Sequence, residues 1–324
     1  MLSTIAFGEA LIDMLSSRVG GNSGGQEAFT KYAGGAPANV AVAVARLGGR
    51  SFMAGKIGDD MFGHFLRDEF HAAGVDTRYL LATREANTAL AFVSLDAAGE
   101  RSFSFYRNPS ADLLFRADEF QPQWFAEPGI LHICSNTLTT PEIAAVTLAG
   151  VQMARAHGWL ISFDLNLRHN LWAAGAAETA PVWRLVAEAT LLKMSKEELH
   201  YMCGDASEEA TIKRLFDSPA QLLLITDGGQ PLRVLVRTAD GFREDSLTPP
   251  AVQMVDSTGA GDAFVGGLLY QLAVADIAAD GLAAFCADHD GLMQALLFAA
   301  RCGGYAAAHY GAFAAMPTQA DLLT

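Results

Sequence analysis

The sequence predicts an α/β fold with a mainly parallel central sheet, helices on both faces of that sheet, and a small β-sheet lid. Short, continuously apolar runs alternate with stretches of helical periodicity along most of the 324 residues. Apolar residues make up 51% of the chain and charged residues 18%, which excludes a largely disordered protein. One pair of strand-like segments interrupts the alternation and predicts the lid.

The predicted sheet rests on apolar runs at residues 4–8, 52–57, 130–135, 160–165, 190–194 and 222–226. Between the second and third runs, Phe62, Leu66, Phe70 and Ala73 recur at the spacing of one helix face. Strands that are apolar on both faces and are joined by helices are typical of a parallel sheet covered on both sides. We expect residues 1–324 to form a single domain.

The predicted lid consists of insertions at about residues 14–33 and 88–107. The first insertion is non-helical and rich in glycine and serine. The second contains two strand-like segments joined by residues 97–100, which is typical of an antiparallel hairpin. A further hairpin is predicted from residues 234–236 and 241–247.

The charge balance argues against two classes of partner. Lys and Arg number 22 against 36 Asp and Glu, a net charge of −14, which argues against a nucleic-acid or anionic membrane partner. The first residues lack a basic region, and no long uncharged apolar run follows, so we expect neither a signal peptide nor a membrane anchor.

The four cysteines are widely spaced without a CxxC pair, which indicates reduced thiols in a cytoplasmic protein and no zinc site.

Residues 255–272 carry the clearest chemical signal. A helix is predicted to begin near Gly261, and Gly259, Ala260 and Gly261, here called the glycine turn, precede or open it. Small residues at a helix start let backbone N–H groups approach an anion such as phosphate. Asp262 follows in the first turn, either as a carboxylate that complements the helix dipole or as one that orients an attacking hydroxyl. No P-loop is present, and the absence of GxGxxG counts against a dinucleotide oxidoreductase.

Several motifs together resemble a known family. They are GEALID at 8–13, GGAPANVAVAVARLGG at 34–49, GKIGDDMFG at 55–63, GERSFSFYR at 99–107, FDLNLR at 163–168, KMSKEEL at 193–199 and DSTGAGDAFVGGLL at 256–269. In this order they resemble the ribokinase/PfkB family of carbohydrate kinases. GGAPANVA, FYR and DLNLR are most similar to the bacterial fructokinases within it.

The resemblance implies a ribokinase-like fold and transfer of the γ-phosphate of ATP to a primary hydroxyl of a sugar. D-fructose is the first expectation, with 2-keto-3-deoxygluconate, ribose or a riboside as alternatives. A non-catalytic sugar-binding regulator is the alternative from a different class. The resemblance also implies Mg²⁺ on the phosphates, K⁺ near the glycine turn, and a homodimer formed through the lid.

The resemblance assigns catalysis to the glycine turn, to Asp262 as the base and to Arg168. It assigns sugar contacts to Asp13, Gly34, Gly35, Asn39, Phe103, Arg107, Arg168 and Asp262. Without the family, Asn39 is explained as a helix-capping residue, and Arg168 is equally well explained by an ion pair with Asp164 or another acid. The strand face that carries Phe103 could equally pack against the main domain.

The nucleotide residues implied by the resemblance are Thr226, Gly228, Gly259 and Gly261. Pro231 stands where the family has glycine and Ala300 where it commonly has asparagine, so these two departures leave the choice of nucleoside triphosphate open.

The metal residues implied by the resemblance are Glu198, which would order water around Mg²⁺, and Asp256 with Thr258, which would lie near K⁺. Ser195 replaces the asparagine of the family's Mg²⁺ motif. Ser195 and Glu198 also have the spacing of a helix capping box, which explains the same residues without a metal.

Overall fold

The computed structural model describes residues 1–19, 26–95, 101–107 and 109–323. The strands in these ranges are β1 Ser3–Phe7, β2 Leu11–Val19, β3 Phe29–Gly34, β4 Arg50–Gly58, β5 Asp76–Thr83, β6 Ala89–Leu95, β7 Arg101–Tyr106, β8 Gly129–Cys134, β9 Leu160–Asp164, β10 Leu191–Ser195, β11 Leu222–Thr226, β12 Leu232–Thr238 and β13 Gly241–Leu247. The helices are α1 Ala36–Arg46, α2 Met61–Ala72, α3 Pro141–Ala156, α4 Thr179–Val186, α5 Lys196–Cys203, α6 Glu208–Phe216, α7 Ala260–Val274, α8 Leu282–Ala287 and α9 His289–Ala307.

The main sheet has nine strands in the order β13-β12-β11-β10-β9-β8-β1-β4-β5. All neighbours from β11 to β5 are parallel, and the antiparallel hairpin β12–β13 closes one edge. This arrangement confirms the predicted fold class. The six predicted apolar runs correspond to β1, β4, β8, β9, β10 and β11. Sequence analysis missed β5, the strand at the other edge.

Helices cover both faces of the main sheet. One face packs on α3, α4, α5 and α6 around side chains such as Trp159 and Phe163, and the other packs on α1, α7, α8 and α9. Helices α1 and α7 approach each other closely, because a Cβ at Gly266 would lie 2.4 Å from the Ala43 Cβ. This close crossing brings the beginnings of α1 and α7 side by side.

The second sheet, here called the small sheet, has the order β3-β2-β6-β7. Strand β2 is antiparallel to β3 and parallel to β6, and β6 and β7 form the predicted antiparallel pair. Residues 97–100, predicted as the connection of that pair, lie outside the described residues, as do residues 20–25 of the first insertion. The alternation of strand side chains places Asp13, Tyr32 and Phe105 on one face of this sheet.

The other sequence expectations concern the membrane and the cysteines. In the ranges that the structure covers, no helix combines the length and the apolar character that crossing a bilayer requires. All four cysteines are free, and Cys134, Cys286 and Cys302 are buried.

Candidate functional site

The glycine turn forms the beginning of α7 at the carboxyl edge of the main sheet. Gly259 has a φ of 74°, a left-handed conformation that favours glycine, and a Cβ there would lie 2.9 Å from the Met316 Cε. Amide N–H groups in the first turn of a helix have no acceptor within that helix. The turn therefore presents backbone donors and the positive end of the helix dipole to an anion.

Asp262 lies in the first turn of α7 and is only 8% exposed. The Nδ2 of Asn39 donates to its Oδ2 over 2.7 Å, and the Nδ2 of Asn166 donates to its Oδ1 over 3.3 Å. Burial raises the pKa of the Asp262 carboxyl, while the Asn39 hydrogen bond and the charges of Arg168 and Lys193 oppose the rise. The carboxylate is thus oriented by two amides at the start of a helix.

Asn39 lies in the first turn of α1, as the sequence predicted. Its Oδ1 is buried and has no hydrogen-bond partner among the described atoms. A buried acceptor without a partner is costly, so this oxygen is suited to a hydroxyl of a bound ligand. Asn39 can therefore join the Asp262 carboxylate to a ligand.

Sequence analysis missed Asn166 as a site residue, although it lies within the quoted FDLNLR motif. Its φ of 40° is unusual for a residue other than glycine. Such an outlier beside a buried carboxylate is typical of a functional site. No sequence pattern distinguishes this asparagine from one in an ordinary turn.

Lys193 is the second residue that sequence analysis did not single out. It lies on β10, and its buried Nζ donates to the Asp164 Oδ2 over 3.0 Å. Asp164 therefore pairs with Lys193, which corrects Asp164 as the ion-pair partner that the sequence suggested for Arg168. Arg168 itself is exposed, and its charge lowers the pKa of Asp262.

Asp13, Gly34 and Gly35 lie where β2 and β3 meet the start of α1. A Cβ at Gly34 would overlap the Asp13 Oδ2, and Gly35 has a φ of 111° with its Cβ position 2.5 Å from the Glu9 carbonyl oxygen. The backbone therefore requires glycine at position 35, whereas a side chain at position 34 would displace the Asp13 carboxylate. Asp13 also lines a cavity of about 120 Å³ together with Thr258 and residues of the small sheet. The structure thus brings the predicted sugar residues of the small sheet to the glycine turn.

Phe103 and Phe105 stack along β7 with ring centroids 6.0 Å apart and pack against Leu11 and alanines of β6. The Nδ2 of Asn170 donates to the Phe103 carbonyl oxygen over 3.1 Å, which connects β7 to the segment that follows Arg168. The backbone of β7 at Phe103 therefore lies beside the segment that follows Arg168.

Arg107 has a structural explanation in its contacts. The side chain is buried, its Nε donates to the Asp112 Oδ2 over 2.7 Å, and its Nη2 donates to the Asn136 carbonyl oxygen over 2.8 Å. The Asp112 carboxylate balances the charge of Arg107. Burial raises the pKa of Glu9, and the positive charge of Arg107 opposes this rise. These contacts hold Arg107 in a buried ion pair.

Glu198 forms the capping box that the sequence allowed. Its Oε2 accepts from the Ser195 N–H over 2.7 Å, and its Oε1 accepts from the Leu167 N–H over 2.5 Å. No group of three or more His, Cys, Asp or Glu side chains suited to a metal occurs among the residues described. Mg²⁺ usually keeps several waters and binds substrate phosphates with one or two carboxylates. The donor set fits a Mg²⁺ carried by substrate phosphates rather than by a protein cage, and both Glu198 carboxylate oxygens already accept from backbone N–H groups.

Asp256 is buried just before the glycine turn. Its Oδ1 accepts from the Thr258 N–H over 3.0 Å and its Oδ2 from the Gly311 N–H over 3.2 Å. The residues predicted for K⁺ are thus adjacent to the turn, and these two hydrogen bonds shape the loop that enters it.

Two of the predicted nucleotide residues lie in the glycine turn, and the other two lie at strand β11. Thr226 ends β11, and Gly228 has a φ of 55° in the turn that follows. Pro231 is exposed in the same connection, and Ala300 is buried in α9. Pro231 thus departs from the family pattern in an exposed connection, and Ala300 departs from it inside a helix that packs on α7.

Comparisons with known proteins agree with this geometry. A sequence model of pfkB family carbohydrate kinases matches residues 1–319. The chain is 38% identical to Fructokinase-1 of Zea mays over 320 residues, which is 98% of this chain and 96% of that protein. It is similar to the ATP-bound fructokinase from Xylella fastidiosa, with 46% identity, a TM-score of 0.93 and coverage of 100% of this chain and 98% of that one. It is also similar to a double mutant of the Vibrio cholerae O395 fructokinase bound to fructose, ADP and potassium ion, with 35% identity, a TM-score of 0.86 and coverage of 100% and 97%.

Proposed function

The chain belongs to the pfkB family of carbohydrate kinases, and from this premise we propose that it is a fructokinase that transfers the γ-phosphoryl group of ATP to a primary hydroxyl of D-fructose. The observation that carries the proposal is the Asp262 carboxylate, held by two asparagine amides in the first turn of α7 beside the glycine turn. A donor-rich helix start and a buried carboxylate next to it are the two parts that phosphoryl transfer to an alcohol requires.

The glycine turn receives the transferring phosphoryl group. Its charge is spread over three oxygens in a loose transition state, so catalysis depends on positioning and electrostatics. The backbone donors of Gly259, Ala260 and Gly261 and the α7 dipole supply that stabilisation. Bound Mg²⁺ would neutralise charge on the terminal phosphates, with Glu198 ordering its water.

Asp262 orients the sugar hydroxyl and takes its proton as the bond to phosphorus forms. Asn39 and Asn166 fix the two carboxylate oxygens, so the carboxylate needs little reorganisation during the reaction. The Asn39 Oδ1 and the Asp13 carboxylate accept from other sugar hydroxyls. Arg168, exposed and close enough to affect the pKa of Asp262, contacts the incoming phosphate.

The small sheet covers the sugar and excludes water, which limits hydrolysis of ATP. On the side of the small sheet, the sugar pocket is lined by Gly34, Gly35 and Phe103. The buried ion pair of Arg107 with Asp112 supports this side of the pocket. We propose that the lid segments 14–33 and 88–107 belong to a single domain of residues 1–324. We further propose that the exposed aromatic side chains Phe29 and Tyr106 contribute to a homodimer.

ATP binds across the edge formed by Thr226 and Gly228, and its terminal phosphates reach Gly259 and Gly261. We propose that K⁺ binds beside Asp256 and Thr258, a position that the buried Asp256 carboxylate at the turn supports. The four free cysteines, three of them buried, support a cytoplasmic location.

The proposal is tested by ADP release across a panel of fructose, ribose, 2-keto-3-deoxygluconate and ribosides, with and without Mg²⁺ and K⁺. Fructose should give the highest kcat/KM. A preference for another sugar would replace fructose as the substrate. Sugar binding without ADP release from any of them would instead indicate a non-catalytic regulator.

The base is tested with Asp262→Ala, which should lower kcat by about 10²–10⁴-fold or more while fructose binding stays measurable by calorimetry. Asp290→Ala is the matched control, because Asp290 is an exposed acid in the first turn of α9. Turnover above a few per cent of wild type in Asp262→Ala would refute the assignment.

A further inference from the structure

Lys193 carries a buried positive charge that the mechanism above does not use. It is 7% exposed and lies on β10 directly opposite Asp164 of β9. One of its three N–H groups donates to the Asp164 Oδ2, and burial would otherwise favour loss of its proton. The Asp164 partner therefore keeps this ammonium charged and fixed in position.

The ammonium lies against the glycine turn. A Cβ built at Gly261 would lie 3.3 Å from the Lys193 Nζ, so the ammonium occupies the space beside the backbone at this position. The Lys193 charge also opposes protonation of Asp262, which is part of the same site. Asp164 has a further oxygen, Oδ1, that is buried without a partner among the described atoms. The pair is thus arranged at the base of the turn and not at the protein surface.

We propose that Lys193 is a catalytic residue that donates from its ammonium to an oxygen of the transferring phosphoryl group, with Asp164 as its positioning residue. The inference rests on the proposed kinase function. The sugar oxygen forms the new bond to phosphorus, the bond from phosphorus to ADP breaks, and its electron pair leaves with ADP. Asp262 takes the hydroxyl proton, and Lys193 remains protonated throughout. A fixed charge in a site that excludes water stabilises the transition state more than it would in solution.

The central variant is Lys193→Met with Asp164→Asn, because removing Lys193 alone would leave a buried unpaired carboxylate. The control is Lys196→Met. Lys196 is the first residue of α5, and its exposed ammonium pairs with Asp227. The double variant should lower kcat by about 10²–10³-fold, as loss of one donor to a developing anion does, with the KM for fructose within about threefold of wild type. The control should retain wild-type kcat.

A second measurement separates a catalytic role from a structural one. Wild type should bind ADP, aluminium fluoride and fructose together much more tightly than ADP and fructose alone. A folded double variant, checked by its thermal melt, should lose that gain and keep its affinity for ADP. An unchanged gain or a kcat within threefold of wild type would overturn the role of Lys193 and leave the kinase assignment intact. Wild-type protein that releases no ADP with any sugar would overturn the proposed function, and this inference with it.

Discussion

His132 makes the stability of the protein depend on pH in a way that one substitution can isolate. The side chain is 1% exposed on β8, and its Nδ1 lies 3.0 Å from the Ser162 Oγ of the neighbouring strand. Burial, with a further contribution from the Lys193 charge, lowers the pKa of His132 from 6.5 to about 3. The folded protein therefore keeps this imidazole neutral at pH values where the unfolded chain binds a proton.

The sign and size of the effect follow from this difference in pKa. Above pH 6.5 both states are neutral and His132 adds no pH dependence. As pH falls from 6.5 towards 3, only the unfolded state gains the proton, so stability falls by about 1.4 kcal/mol per pH unit. Between pH 7.5 and pH 5.0 this contribution amounts to about 2 kcal/mol.

The assay is equilibrium urea unfolding of wild type and His132→Asn at both pH values. Asparagine keeps a polar group near the Ser162 Oγ and does not titrate. Its constant cost and the contributions of the other ionisable groups cancel when the two pH dependences are subtracted. Wild type should lose about 2 kcal/mol more than the variant on acidification. Equal losses would show that His132 is protonated as easily in the folded as in the unfolded protein.

Three further substitutions test other parts of the structure. Gly259→Ala should cost about 1–2 kcal/mol in urea unfolding and most of the kinase activity in the ADP-release assay. Gly158→Ala, with a similar φ of 76° and no atom within 4 Å of its Cβ position, should cost stability alone, and equal activities of the two variants would contradict the role of the glycine turn. Arg107→Met should lower the free energy of unfolding in urea by about 3–5 kcal/mol, because Asp112 loses its cation, and a loss below 1 kcal/mol would contradict the buried pair. Asn166→Gly keeps the positive φ and removes the amide, so kcat in the ADP-release assay should fall about tenfold or more, and an unchanged kcat would show that this amide does not orient the base.

The sequence predicted the interior of the main sheet well because interior strands are buried on both faces. Strands β8, β9, β10 and β11 are short, mostly apolar runs and need no tertiary information to be recognised, although His132, Asp164 and Lys193 interrupt or end three of them. Strand β5 lies at the edge, alternates between buried and exposed residues, and carries Asp76 and Arg78. That mixed pattern does not distinguish it from a loop.

The site divides in the same way into local and long-range parts. The glycine turn and Asp262 are contiguous, so the chemistry of a helix start could be inferred from the order of residues alone. Asn39 and Asp262 are 223 positions apart, and Asn166 and Asp262 are 96 apart. Their contacts depend on how α1, α7 and β9 are arranged, which no local pattern specifies. The Lys193 pair was missed for the same reason, since its meaning depends on the turn that lies beside it.

The strand order of the main sheet suits a chain that folds while it is being synthesised. Strands β1, β4 and β5 can pair as soon as the first 83 residues have been made, and β8 then adds beside β1. From β8 to β13 each new strand joins the edge left by the one before it, so growth from the ribosome never requires an existing pair to open. Asp262 is made only after the last strand. A chain released before that point would hold every strand of the main sheet, but one face would lack α7, α8 and α9 and the site would lack the acid that acts on the sugar.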